Sequence, residues 1–160
     1  MLIKSFFTGK MDKKIKKWMS RYGISLLRIS MGIVFFWFGF LKFFPGISPA
    51  EGIAVKTISI ITFDLFSPRT ILIILAIWES VIGIGLIFGV YLREVLLLLF
   101  LQMTGTFAPL FFFPAELFTE IPYAPTLEGQ YIIKNIVIIS GAIVIGAKVR
   151  GGRLSKDANS

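Results

Sequence analysis

The chain has 160 residues, of which 56% are hydrophobic and only 16% charged, with a formal net charge of +8. It contains neither cysteine nor histidine, which excludes disulfides, thiol chemistry, iron–sulfur ligation, the usual zinc sites and histidine-ligated haem. The bases gather at the termini and helix ends with no RNA- or DNA-binding module beside them, so anionic lipid headgroups, and not nucleic acid, are the expected counterpart.

Residues 1–21 are too polar to span a membrane. Within them Lys13, Lys14, Lys16, Lys17 and Arg21 surround Ile15, Trp18 and Met19, a pattern that predicts a basic amphipathic helix lying on the membrane surface. The apolar run that follows is too long for a signal peptide and no small-residue cleavage site succeeds it, so the segment is expected to be retained.

Four long apolar stretches, with few charges in them, then match a bilayer core about 30 Å thick. The first span is expected at about residues 23–44, closed by Pro45-Gly46. The second, about 70–92, follows Ser67-Pro68; Arg93-Glu94 forms a tight turn into the third, about 95–113, which Pro114 ends. The fourth covers about 131–148 and leads to a polar tail at 150–160. The expected fold is an all-α integral membrane four-helix bundle over residues 22–149.

Counting bases in the short loops gives the orientation. Lys4, Lys10 and the five bases of the surface segment precede the first span, Arg93 lies between the second and third, and Lys148, Arg150, Arg153 and Lys156 follow the fourth. On the other side, residues 45–69 hold only Lys56 and Arg69, while 114–130 hold no base and three acids, Glu116, Glu120 and Glu128. Both termini and the Arg93 turn are thus expected in the cytoplasm, and the protein in a bacterial inner membrane.

The two outer loops carry structure of their own. Ser48-Pro49-Ala50-Glu51 reads as a helix start, with Ser48 the cap, Pro49 at the first position and Glu51 at the third. A short helix is expected after it, ending near Ser67-Pro68. Residues 111–125, with three prolines and many aromatics, are expected to form an irregular outer cap at headgroup level.

Polar residues inside the spans are costly and normally face the bundle interior. Arg28 lies about 9 Å into the first span at a rise of about 1.5 Å per residue, Glu79 near the middle of the second, and Gln102, flanked by Thr104 and Thr106, near the middle of the third. Arg28, Glu79, Gln102 and Thr106 are therefore the candidate intramembrane site. Its bland reading is a buried network that fixes helix register, Arg28 reaching toward Glu79 with Gln102 bridging; the functional reading is a site for a ligand head or a proton. Lys42 and Lys134 lie near the outer ends of their spans, where they either snorkel to headgroups or rim a pocket with Glu128 and Asn135. Gly32 and Gly39, the Gly85-x-x-x-Gly89 pair, and Ser140, Gly141 and Gly146 read as helix-packing positions, the GxxxG pair serving either the bundle or a dimer. The aromatic run from Phe35 to Phe44 reads as packing or as walls for a flat ring.

Arg28-x3-Gly32 leading to Gly39-x2-Lys42-Phe43, Glu79 with glycines after it, and the run Gln102–Phe107 (QMTGTF) resemble the DoxX/DoxD-like membrane proteins over roughly residues 22–150. Leu127-Glu128-Gly129-Gln130-Tyr131 and the segment from Pro45 to Glu51 resemble bacterial members. The resemblance implies a four-helix membrane bundle and, as in some members, quinone-coupled oxidation of sulfur compounds as the membrane subunit of a thiosulfate:quinone oxidoreductase. Distant relatives look like cargo receptors or assembly factors. Three functions follow: a membrane subunit of quinone-linked redox, an assembly or docking subunit for other membrane or periplasmic chains, and a small transporter. Quinone is the one cofactor implied; haem and metal are not expected, and without Cys or His any electrons must be carried by another component.

Overall fold

A computed structural model describes residues 9–48, 50–149 and 152. In chain order the elements are α1 (Lys10–Leu41), α2 (Glu51–Ile61), α3 (Pro68–Phe88), α4 (Leu92–Phe107), the single turns α5 (Pro109–Phe112) and α6 (Pro114–Leu117), the strands β1 (Phe118–Glu120) and β2 (Ala124–Pro125), and α7 (Leu127–Gly146). Four helices are long and apolar enough to cross a membrane, the third counted through α5 as Leu92–Phe112. This is the four-helix membrane bundle expected from the sequence, with one addition: β1 and β2 pair as a small antiparallel hairpin where an irregular cap was expected.

The first helix corrects the reading of the N-terminal segment. Residues 10–41 form one uninterrupted helix of 32 residues, about 48 Å long. There is no break to lay its basic part on a surface. Gly23 lies where the basic part meets the apolar part, and one glycine costs only about 1 kcal/mol in a helix interior. The i,i+4 pair Asp12–Lys16, 2.8 Å apart, supports the basic end.

Each later boundary follows from a local cause. Ala50, in the left-handed region at φ 57°, caps α2, so Glu51 is its first residue and Ser48 is not the cap. The Glu51 carboxylate instead accepts the Gly46 N–H at 3.0 Å, closing the turn before the helix. Helix α2 stops at Ile61, and the expected capping chemistry appears one helix later: Ser67 Oγ accepts the Thr70 N–H and Pro68 opens α3. That helix ends at Gly89, whose φ of 71° makes it the left-handed cap. The tight connection is therefore Gly89-Val90-Tyr91, and Arg93-Glu94 lie inside the first turn of α4. Pro109, lacking an N–H, interrupts the third span at Ala108. Helix α7 begins four residues earlier than expected because Thr126 Oγ1 accepts the Gly129 N–H at 3.3 Å. Pro49 and the basic tail residues Arg150, Arg153 and Lys156, like Lys4, lie outside the described residues.

Around the bundle, α1 lies beside α3 and α7, and α4 beside α3 and α7. The α1–α3 seam is the closest of the four. A Cβ on Gly32 would meet Ile87 N at 2.8 Å, one on Gly39 would meet Glu79 Cβ at 2.8 Å, and one on Gly83 would run into the Phe36 backbone. The two helices meet backbone to backbone through these three glycines. The GxxxG pair has other work inside the chain: Gly85 abuts Val95 and Gly89 caps α3. The main core gathers Met31, Phe35, Ile82, Leu86, Leu99 and Ile145. A second, smaller one, Ile53, Leu117 and Ile132, seats α2 and α6 on the end of α7.

Candidate functional site

The glycine seam determines what Glu79 meets. With Gly39 against its Cβ, Glu79 comes under the residue three further along α1, one turn on and on the same face. That residue is Lys42, and its Nζ donates to Glu79 Oε2 at 2.6 Å. From the other side Gln102 Nε2 donates to Glu79 Oε1 at 2.7 Å. Both oxygens of the carboxylate are thus engaged, one by the end of α1 and one by the middle of α4. Lys42 and Glu79 are each only 8% exposed. Lys42 Nζ also lies 3.5 Å from the Phe38 carbonyl, and Thr106 Oγ1 donates to the Gln102 carbonyl at 2.9 Å, one turn further along the same face of α4.

Two adjoining cavities open onto this chain of polar groups, of about 350 and 470 Å³. Lys42, Glu79, Gln102, Thr106, Tyr131 and Asn135 border both. The first extends under α2, along Ile53, Ile58, Trp78 and Leu101. The second extends between α1 and α7, along Val34, Phe38, Lys134 and Val137. Volumes of this size suit a small organic ligand. Among the described residues Gln102 Oε1 and Ser80 Oγ are buried without a hydrogen-bond partner.

The candidate residues fall into three groups. Glu79, Gln102 and Thr106 come together as the sequence suggested. Lys42 joins them, as the buried cation of the pair and not as a snorkelling residue. Asn135, half-buried, borders both cavities, and exposed Lys134 borders the second. Glu128 stands apart, exposed in the first turn of α7 and bordering neither cavity. Thr104, exposed, donates to the Phe100 carbonyl.

Arg28 does not reach Glu79. Its guanidinium donates to the Leu86 carbonyl and, at 3.0 Å, to that of Ile87. These are carbonyls of the last turn of α3, where a cation complements the helix dipole. From residue 28 to residue 42 is about 21 Å of helix, so the two bases serve opposite ends of the bundle. The sequence did hold the missed signal: Gly39-x-x-Lys42 places a contact point and a cation on one face of one helix.

Chemically, Lys42 has three N–H donors, and the two acceptors near it leave capacity for a third. The Asn135 amide makes no hydrogen bond with the described residues and adds donors and an acceptor. The arrangement is a small hydrogen-bonding pocket in apolar walls. Aromatic side chains stand at its edges: Trp78, fixed by its Nε1 donating to the Leu98 carbonyl at 3.2 Å, and Phe38. Of the rest of the aromatic run, Phe35 is buried, whereas Phe36, Trp37, Phe40 and Phe44 face outward.

No curated protein and no solved structure matches this chain. The DoxX family model matches residues 23–114, which include α1 from Gly23, all of α2 to α5 and every member of the Lys42–Glu79–Gln102 cluster. The chain is a membrane protein of the DoxX family.

Proposed function

We propose that this bundle binds the head of a membrane quinone at the Lys42–Glu79–Gln102 cluster and serves as a membrane subunit of quinone-linked redox. The observation that carries the reading is the cluster itself, a fully engaged buried carboxylate bordering two cavities in an otherwise apolar bundle. A quinone supplies a two-electron, two-proton couple soluble in the bilayer. Lys42 and Asn135 are the donors for its carbonyl oxygens, Glu79 holds the Lys42 ammonium in place, and Trp78 and Phe38 flank the ring. With no Cys or His in the chain, the electrons come from another subunit.

The surrounding expectations fit this role. The charge count sets both termini in the cytoplasm of a bacterial inner membrane, with the basic end of α1 against anionic headgroups. The end carrying α2, α6 and the hairpin then faces the periplasm, where exposed Phe63, Leu65 and Tyr123 offer a surface for a partner subunit. That collar is also the observation favouring the alternative, an assembly or docking subunit that performs no redox step.

Purification from the native membrane in mild detergent, followed by lipid extraction, tests the reading. Quinone is expected at close to one per chain, and Lys42→Met is expected to lower it at least about tenfold, a loss of about 1.4 kcal/mol or more. Absence of quinone from the wild-type protein, with partner subunits still co-purifying, would leave docking as the function.

A further inference from the structure

The two cavities open at opposite seams of the bundle. Ile74 of α3 and Leu101 of α4 border the first cavity and are 44% and 57% exposed, so it runs out between these two helices, beneath α2. Val34 of α1 and Val137 of α7 border the second and are 43% and 72% exposed, so it runs out between those two. Because α1–α3 and α4–α7 are the remaining seams, the mouths lie across the bundle from each other with the polar cluster between them. The second mouth is walled by spanning helices, and the first by α3 and α4 with Ile58 and Ile61 of the outer helix α2 above them, so both open on the side of the bundle.

The mouths differ in chemistry. Two side chains of the first lobe that do not border the second, Thr57 and Trp78, carry a polar hydrogen, and both are satisfied within the protein. Thr57 Oγ1 donates to the Ile53 carbonyl at 2.7 Å, and Trp78 Nε1 to that of Leu98. The remaining side chains special to this lobe are hydrocarbon. The second lobe carries the Lys134 ammonium, which has no partner among the described residues, and a hydrocarbon chain lying there would strip water from an unpaired charge.

We infer that the ligand of this site is a single-chain lipid whose polar head lies at Lys42, Gln102 and Asn135 and whose apolar chain leaves sideways between α3 and α4. This rests on the quinone reading for the head and adds the route of the chain. Entry is from within the bilayer, α2 forms the roof over the chain, and the α1–α7 mouth stays with the head.

Photo-crosslinking and competition binding on the full chain in nanodiscs test it, using a polyprenyl benzoquinone, a polyprenyl naphthoquinone and the chain-less parent of each. Leu101→Trp and Ile74→Trp fill the proposed chain exit with side chains that already face lipid. They are expected to weaken the polyprenyl probes about tenfold or more and the chain-less parents less than about threefold. Val137→Trp, at the mouth that stays with the head, is expected to affect the polyprenyl probes no more than their chain-less parents. A probe photolabel at the chain end should mark α3 or α4. Loss of polyprenyl binding in Val137→Trp with Leu101→Trp unaffected would overturn the route and leave the head site standing. Equal loss of both probe types in Leu101→Trp would overturn it too. If no quinone of either length binds the wild-type protein, the quinone reading falls, and the route with it.

Discussion

Lys42 Nζ lies 2.6 Å from Glu79 Oε2 where α1 and α3 are in backbone contact through Gly39. Two charges buried in a membrane bundle must satisfy each other, because the desolvation cost of either alone is several kcal/mol. Removing one partner is therefore expected to cost more than removing both. Lys42→Met and Glu79→Leu should each destabilise the protein by about 3–5 kcal/mol. The double variant should recover at least half of that sum, because no uncompensated charge remains. Thermal unfolding in detergent for the four members of the cycle measures the coupling. Additive losses would show that the pair is not held as described. The double variant should also stay unable to retain quinone, since its head site has lost its cation.

The glycine seam gives a sharper steric expectation. Gly39→Ala sets a methyl 2.8 Å from Glu79 Cβ and from Ser80 N, and overpacking of this kind costs about 1–3 kcal/mol. Gly105, in α4, has open space where its Cβ would stand. Gly105→Ala should be neutral or stabilise by up to about 1 kcal/mol through helix propensity. The comparison separates a packing glycine from a merely tolerated one on the same assay. Gly39→Ala should also weaken ligand retention, because pushing α3 away opens the Lys42–Glu79 contact.

Much of this site was legible in the sequence, and the failures have physical causes. Span number and approximate position follow from runs of apolar residues that nothing but a bilayer accommodates, and Glu79, Gln102 and Thr106 stand out because polarity in such runs is expensive. The identity of the cation was not legible. Arg28 and Lys42 both lie on α1, and choosing between them requires the vertical offset between α1 and α3, which Gly32, Gly39 and Gly83 set through backbone contact. Helix starts were missed where the deciding residue lies just outside the helix. Ala50 in the left-handed region sets the start of α2, and Thr126 sets that of α7. The short helix α2 was legible from its start signals, but α6 and the hairpin were legible only as a set of aromatics and prolines, because their order depends on burying Leu117 against Ile53 and Ile132.

Arg28 yields a prediction that separates it from the site. It donates to the Leu86 and Ile87 carbonyls at the end of α3, and a Cβ on Gly89 would stand 2.7 Å from its Nη1. Arg28→Met should lower stability by about 1–3 kcal/mol, the cost of buried acceptors losing their donor. Quinone retention by the remaining folded protein should be unchanged. Arg28→Lys should fall between, since one ammonium cannot reproduce the planar fork. A specific loss of ligand in Arg28→Met at preserved stability would return Arg28 to the binding site.

At the opposite end, Lys56 of α2 meets Glu116 of α6 at 2.8 Å and lies 5.9 Å from the centre of the Phe113 ring. Both side chains are about half exposed, at 55% and 50%, so the pair is screened and worth no more than about 1 kcal/mol. Its effect is local because α2 is only 11 residues long and is seated otherwise by Ile53 on Leu117 and Ile132. Lys56→Ala should hence leave global unfolding nearly unchanged while speeding hydrogen exchange of the α2 amides, and raised salt should produce the same acceleration in the wild type. The charge-reversed double variant, Lys56→Glu with Glu116→Lys, should restore protection. Since α2 roofs the chain-bearing cavity, the single variant should also speed release of a polyprenyl quinone without altering that of its chain-less parent. Unchanged exchange in α2 would show that Ile53 alone holds the roof.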